Sequence, residues 1–254
     1  MKIISIVNQK GGVGKTTTAS NLSTALSTIS RKVLLIDLDS QGNASTGFGL
    51  LEKDKLSTIY QVLIGNCDIK RAIQNTYIPN LDIIPSNIHL SGLEIEVADL
   101  YQKELMLKRK LEEIYERYNY VIIDCPPSLG IVTINSLAAS DSVLIPMQCE
   151  FYSLEGLSHL LQTIEIVRDK LNPVLEIEGI LLTMHDKRYK LTEMVEMDVR
   201  NCLGDTVFQT TIPRNVKVSE APSHGKPVLL YDHKSSGALA YINLAKELLQ
   251  REEV

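Results

Sequence analysis

Ile3-Ile4-Ser5-Ile6-Val7-Asn8-Gln9-Lys10-Gly11-Gly12-Val13-Gly14-Lys15-Thr16-Thr17 is the stretch that decides the fold. Ile3–Val7 is a short apolar run rich in β-branched residues, the pattern of a buried strand. A glycine-rich turn follows, and from Thr16 to Ile29 the apolar positions recur at helical spacing. Glycines let the turn fold back on itself, so that successive backbone N–H groups converge on one point. The helix behind adds the positive end of its dipole. A loop so built is a cradle for phosphate, with Lys15 placed to reach the outer phosphates and the Thr16 hydroxyl placed to ligate a divalent cation.

The general P-loop pattern is G-x-x-x-x-G-K-[ST]. Gly14-Lys15-Thr16 supplies its end, but Gln9 stands where its first glycine belongs, and Lys10 precedes the glycine pair Gly11-Gly12. This is the deviant form of the loop. The nucleotide-binding candidates are therefore Lys10, Gly11, Gly12, Val13, Gly14, Lys15, Thr16 and Thr17.

Outward from the loop, short apolar runs alternate with helix-period stretches. Ile3–Val7, Val33–Ile36, Leu81–Ile84, Tyr120–Ile123, Ser142–Ile145, Ile177–Leu182 and Val207–Ile212 read as strands. Thr16–Ile29, Lys103–Tyr118, Ile131–Ala139, Leu154–Leu171, Thr192–Cys202 and Gly237–Glu252 read as helices. That alternation predicts an α/β fold with a mostly parallel twisted sheet flanked by helices. No linker or repeat interrupts it, so residues 1–254 are expected to form a single P-loop ATPase domain. Trp is absent and Phe occurs only three times among 254 residues. The core must then rest on Leu, Ile and Val, as suits a parallel sheet covered on both faces.

In such sheets ligands bind beyond the carboxyl ends of the strands. After the second strand comes Asp37-Leu38-Asp39-Ser40-Gln41-Gly42, and after the fourth Asp124-Cys125-Pro126-Pro127. A carboxylate at the end of a buried strand is costly unless it meets a cation or ordered water. Asp124, closing an apolar strand, has the Walker B arrangement and is a metal candidate with Thr16 and Asp37. Asp39 is placed to orient an attacking water, and phosphoryl transfer needs positioning above all.

These three motifs, with Gln148-Cys149-Glu150-Phe151-Tyr152-Ser153-Leu154-Glu155-Gly156 and the run Ile212-Pro213-Arg214-Asn215 to Gly225-Lys226-Pro227, resemble the chromosomal type of the ParA family of partition ATPases over nearly the whole chain. The resemblance implies an ATPase using ATP and Mg²⁺. It implies a homodimer that sandwiches two nucleotides, binds double-stranded DNA nonspecifically and is released when a ParB-type centromere-binding protein stimulates hydrolysis. Lys10 then acts in trans on the partner's nucleotide, Lys15 and Asp39 serve catalysis, and Pro213 and Asn215 fall where the family contacts adenine. The family implies a cytoplasmic, nucleoid-associated protein. One position departs from the pattern: the family usually has proline after the second aspartate, and here it is Ser40, which relaxes the backbone at that loop.

The net charge is −5, unlike a dedicated DNA-binding domain. Between 183 and 234, however, eight Lys and Arg meet seven Asp and Glu, so this part is less acidic than the rest. Arg188 and Lys217 match the family's DNA contacts, with Lys187 and Arg214 beside them. The first strand begins at residue 2, so no operator-reading N-terminal domain is expected. Two relatives of the superfamily fit less well. A membrane-positioning ATPase like MinD needs a basic amphipathic C-terminus, whereas this chain closes on Leu248-Leu249-Gln250-Arg251-Glu252-Glu253-Val254, and no membrane partner is expected. An iron–sulfur carrier needs facing cysteines, whereas Cys67, Cys125, Cys149 and Cys202 are scattered with no CxxC.

Overall fold

A computed structural model describes residues 1–51, 55, 57–150 and 153–252. Phe151, Tyr152, Glu253 and Val254, quoted above, lie outside the described residues. The strands are β1 (Lys2–Ile6), β2 (Val33–Asp37), β3 (Gln74–Asn75), β4 (Leu81–Ile84), β5 (Tyr120–Asp124), β6 (Ser142–Gln148) and β7 (Glu176–Thr183). They form one sheet in the order β3-β4-β2-β5-β1-β6-β7, parallel throughout except for the edge strand β3. The principal helices are α1 (Lys15–Thr28), α6 (Met106–Glu112), α7 (Ile131–Ala139), α8 (Ser153–Lys170), α9 (Lys190–Leu203) and α12 (Ser236–Glu252). Short helices α2 (Asn43–Gly47), α3 (Ile59–Leu63), α4 (Ile69–Ala72), α5 (Leu93–Glu96), α10 (Val216–Glu220) and α11 (Val228–Tyr231) turn the connections.

Alternate residues of the central strands feed two cores, one on each face. Ile4, Ile6, Leu35 and Ile122 pack against α1 and α12 through Leu22, Leu26, Tyr241 and Leu244. Ile3, Val7, Ile36, Val121 and Ile123 pack on the other side with Leu107, Leu111, Leu137, Leu160 and Ile164. Helix α1 is buried along most of its length despite its many hydroxyls. Several are satisfied within the helix: Thr24 and Ser27 donate to the carbonyls of Ser20 and Thr24, both at 2.8 Å.

Two expectations need correction. Val207–Ile212 is not a strand. Phe208 and Ile212 donate to Ile180 and Leu182 of β7, but the N–H groups of Gln209 and Thr210 between them go to the Glu247 carboxylate of α12, at 2.7 and 2.8 Å. A side chain thus takes the Thr210 donor that a continuous ladder would use. The expected helix Lys103–Tyr118 survives as a 3₁₀ turn and α6, ending at Glu112. Beyond it Ile114 and Arg117 bond three residues back, to Leu111 and Ile114, which tightens the chain into turns. The edge strand β3 is only two residues long, too short to carry a period.

Candidate active site

The parallel register brings the functional loops to one edge of the sheet. Asp37 and Asp124 are register partners on neighbouring strands, and Ile6, just before the glycine-rich loop, is paired with Asp124 on the other side. The loop itself needs glycine at two places. Gly12 has φ of 74° and Gly14 of 88°, the left-handed region that other residues avoid. Gly14 caps α1, so the helix begins at Lys15 with its first N–H groups turned toward the loop.

Gly11, Gly12, Gly14, Lys15, Thr16 and Thr17 line a cavity of about 470 Å³. Asp39 and Pro127 border it on the sheet side, and Val218, Ala221, Pro222, Pro227 and Val228 form an apolar wall. That wall is tied to α1, because the backbone N–H of Val228 donates to Asn21 Oδ1 at 2.8 Å. The apolar wall was not legible as a nucleotide surface. Ser20, Asn21 and Lys226 also line the cavity unforeseen; the only signal was the Ala-Pro-x-x-Gly-Lys-Pro spacing of residues 221–227. Pro213 and Asn215 do not line this cavity. Pro213 borders a different hollow. Asn215 caps α10, accepting from Lys217 N at 2.8 Å and donating to Ser236 Oγ at 2.8 Å.

Lys15 is buried, and its ammonium donates to the Lys10 carbonyl at 3.0 Å. Burial lowers its pKa against the pull of Asp124, Cys125 and Asp39. Lys10 itself points elsewhere: its ammonium pairs with the Glu150 carboxylate at the surface, and its side chain does not line the cavity beside it.

The two buried carboxylates differ. Asp37 is well served, accepting from Asp39 N at 3.1 Å, Ser45 N at 2.9 Å and Ser45 Oγ at 2.7 Å. Burial still pushes its pKa up to about 6. Asp124 is fully buried with no hydrogen-bond partner on either oxygen. Burial raises its pKa well above the carboxylate range, and the charge of Asp37 adds to the rise. The Thr16 hydroxyl and the charge of Lys15 oppose it from nearby. A buried carboxylate bare of donors, with a threonine hydroxyl beside it, fits a hard divalent cation that takes oxygen ligands. Asp39 lies outside this pair and accepts from Gln41 N at 3.0 Å.

Lys187, Arg188 and Arg214 gather around one hollow with His185 and Asp186. Arg188 is held by Asp186 in a two-pronged pair at 2.9 and 2.6 Å, which lowers the Asp186 pKa to about 2. Lys217 is not among the residues of that hollow and pairs with Glu220 at 3.0 Å. Cys125 and Cys149 are buried with raised thiol pKa values, about 12 and about 11, chiefly from burial. Among the described residues no group of three His, Cys, Asp or Glu is arranged around a metal site, and no helix is long and apolar enough to cross a membrane.

A parallel sheet that delivers a deviant phosphate loop and two strand-end carboxylates to one cavity defines a P-loop ATPase of the deviant Walker A class. A family model described as an AAA domain matches residues 1–177. The chromosome partitioning protein ParA of Caulobacter vibrioides is 52% identical over 254 residues, spanning 99% of this chain and 95% of that protein. The sporulation initiation inhibitor protein Soj of Bacillus subtilis is 53% identical over 247 residues, 97% of this chain and 98% of that protein. The chain belongs to the ParA/Soj family of partition ATPases. Among solved structures, a Mycobacterium smegmatis protein described as cobyrinic acid a,c-diamide synthase, with bound ATP analog and magnesium, superposes with a TM-score of 0.88. It is 34% identical, covering 100% of this chain and 96% of that one.

Proposed function

We propose that this chain, folded as one ATPase domain, moves DNA cargo by a cycle in which an ATP-bound homodimer grips double-stranded DNA without sequence preference and lets go when a ParB-type protein stimulates hydrolysis. The observation that carries the reading is the bare Asp124 carboxylate beside the loop holding Lys15 and Thr16. In this proposal the backbone of Gly11 to Thr17 receives the phosphates of ATP, and Lys15 exchanges the Lys10 carbonyl for the β- and γ-phosphates. The apolar wall from Val218 to Val228 receives the base. Asn215 and Pro213 act behind that wall, Asn215 by capping the helix that bears Val218.

Thr16 and Asp124 would hold Mg²⁺, with Asp37 supporting from behind, because three hydrogen bonds already occupy it. Bound there, the ion would neutralise charge developing on the phosphates. Asp39 orients the attacking water. Lys10 leaves Glu150 and crosses to the partner's nucleotide, stabilising the transition state as an arginine finger does. Its orientation away from its own cavity supports action in trans. Arg188, Lys187, Arg214 and Lys217 contact DNA phosphates, and a dimer doubles their number. The protein works in the cytoplasm on the nucleoid.

The test is ATP hydrolysis with and without nonspecific duplex DNA, an Asp39→Ala control, and DNA binding in ATP against ADP. Weak hydrolysis lost in Asp39→Ala, with ATP-dependent and salt-sensitive DNA binding, is the expected result. Hydrolysis with no DNA binding in any nucleotide state would sink the partition cycle.

A further inference from the structure

The apolar wall of the nucleotide cavity stands outside the sheet. Ala221–His224 is a 3₁₀ turn and α11 begins at Val228, so no strand ladder fixes this segment against the phosphate loop. Side chains from distant parts of the chain tie it down instead. Asn21 is the inner tie. It is only 4% exposed, stands on α1 one turn beyond Thr17, and lines the cavity. Its amide works in both directions: Nδ2 donates to the Thr17 carbonyl and Oδ1 accepts from Val228 N, each at 2.8 Å. Oxygen faces a donor and nitrogen an acceptor, so one orientation of the amide serves both partners. The Val228 N–H is the first of α11, a group with no acceptor inside its own helix.

Tyr77 is the outer tie. It lies between β3 and β4, and its hydroxyl donates to the Gly225 carbonyl at 2.9 Å. Gly225 has φ of 63°, and a Cβ on it would stand 3.0 Å from Gly49 Cα. The wall is thus packed closely against the chain just beyond α2, whose Asn43, Thr46 and Gly47 line the same cavity.

We infer that Asn21 and Tyr77 are positioning residues that set the distance between the base wall and the phosphate loop, Asn21 from inside the cavity and Tyr77 from outside it. This rests on the reading above in which the wall receives the base. A nucleotide is gripped at both ends only when wall and loop stand one nucleotide apart. A wall free to drift must be ordered at each binding event, which costs affinity. Asn21 belongs to the helix whose first turn faces the phosphates, and its two partners are Thr17 beside that turn and Val228 in the wall. One buried amide therefore links the two ends of the ligand site. Losing either tie weakens the grip on the base and leaves the grip on the phosphates as it was.

The experiment measures calorimetric binding of two probes in Mg²⁺: the non-hydrolysable ATP analogue AMP-PNP, and inorganic tripolyphosphate, which carries phosphates and no base. In the wild-type chain the ratio of the two affinities reads the contribution of the wall. In Asn21→Leu that ratio falls about tenfold, as for loss of a buried hydrogen bond, while tripolyphosphate affinity stays within about twofold of wild type. Tyr77 is half-exposed, so Tyr77→Phe leaves the core untouched; it lowers the ratio about threefold and carries the test by itself should Asn21→Leu fail to fold. An unchanged ratio in the folded variants overturns the proposal. An equal loss for both probes also overturns it, because the ties would then serve the phosphate loop itself. A wild-type chain that binds both probes equally would remove the base wall, a different failure.

Discussion

Replacing Asp124 with asparagine should make the nucleotide-free protein more stable and less active at once. Asp124 is fully buried, accepts no hydrogen bond and sits in register with a second buried carboxylate. An unsatisfied buried polar group costs about 1–3 kcal/mol, with charged groups at the upper end. Removing the charge recovers at most that amount, which for a chain of this size raises Tm by up to about 12 °C. The pH dependence follows from the raised pKa. A carboxyl that holds its proton more tightly when folded favours the folded state below the ordinary carboxylate pKa of about 3.9, and that advantage is lost as pH rises through the folded value. The gain from Asp124→Asn is therefore small in acid and largest in mild alkali. Thermal melts in chelator across pH measure it. Hydrolysis in ATP and Mg²⁺ should fall about a hundredfold or more, as for loss of one preorganised charge-stabilising group. A lower Tm, a gain that ignores pH, or a variant that still hydrolyses ATP normally would refute the assignment of Asp124 as a strained cation ligand.

Trans action of Lys10 predicts complementation: Lys10→Ala and Asp39→Ala are each inactive alone, but random mixing yields dimers with one complete site and restores roughly a quarter of the wild-type rate. A mixture as inactive as its components would place Lys10 in its own subunit's site. For DNA, Arg188→Ala lowers the slope of log affinity against log salt by about 0.9, the value for one phosphate contact. Asp186→Asn releases Arg188 and tightens binding by up to about tenfold; filter binding across a salt series reads both, and an unchanged slope in Arg188→Ala removes that residue from the interface.

Much of this was legible in the chain because local and global signals agree. The glycine loop, strand-end aspartates and continuous Ile, Val and Leu runs each fix one choice, and the sheet needs all of them. One misreading occurs where a distant side chain overrides the local pattern. Val207–Ile212 has strand composition, yet Glu247, far along the chain, takes the donors of Gln209 and Thr210. The apolar wall of the cavity was hidden for a related reason. Ala221, Pro222 and Val228 meet α1 only through tertiary packing and the Asn21 bond, and no period in their own segment announces it. DNA candidates were named from position in a family pattern, and the Arg188–Asp186 pair that now restrains one of them is not visible in a charge count.

Three charged groups of this site differ in how they are held. Lys15 is held by a carbonyl of its own loop, Lys10 by Glu150 at the surface, and Asp124 by nothing. Each arrangement carries a cost or a weak tie: a buried ammonium with one neutral acceptor, an exposed ion pair of little worth, and a buried carboxylate without a donor. In the proposed cycle, ATP with its cation would offer a better partner to the first and third, and binding would then stabilise the fold. For Lys10 the argument differs. A tie to Glu150 is weak enough to be broken, yet it turns the lysine away from its own cavity, as the proposed action on a second copy's nucleotide requires. In the proposed cycle, that geometry would make hydrolysis depend on dimerisation, and with it on the state that gathers two sets of basic residues onto DNA.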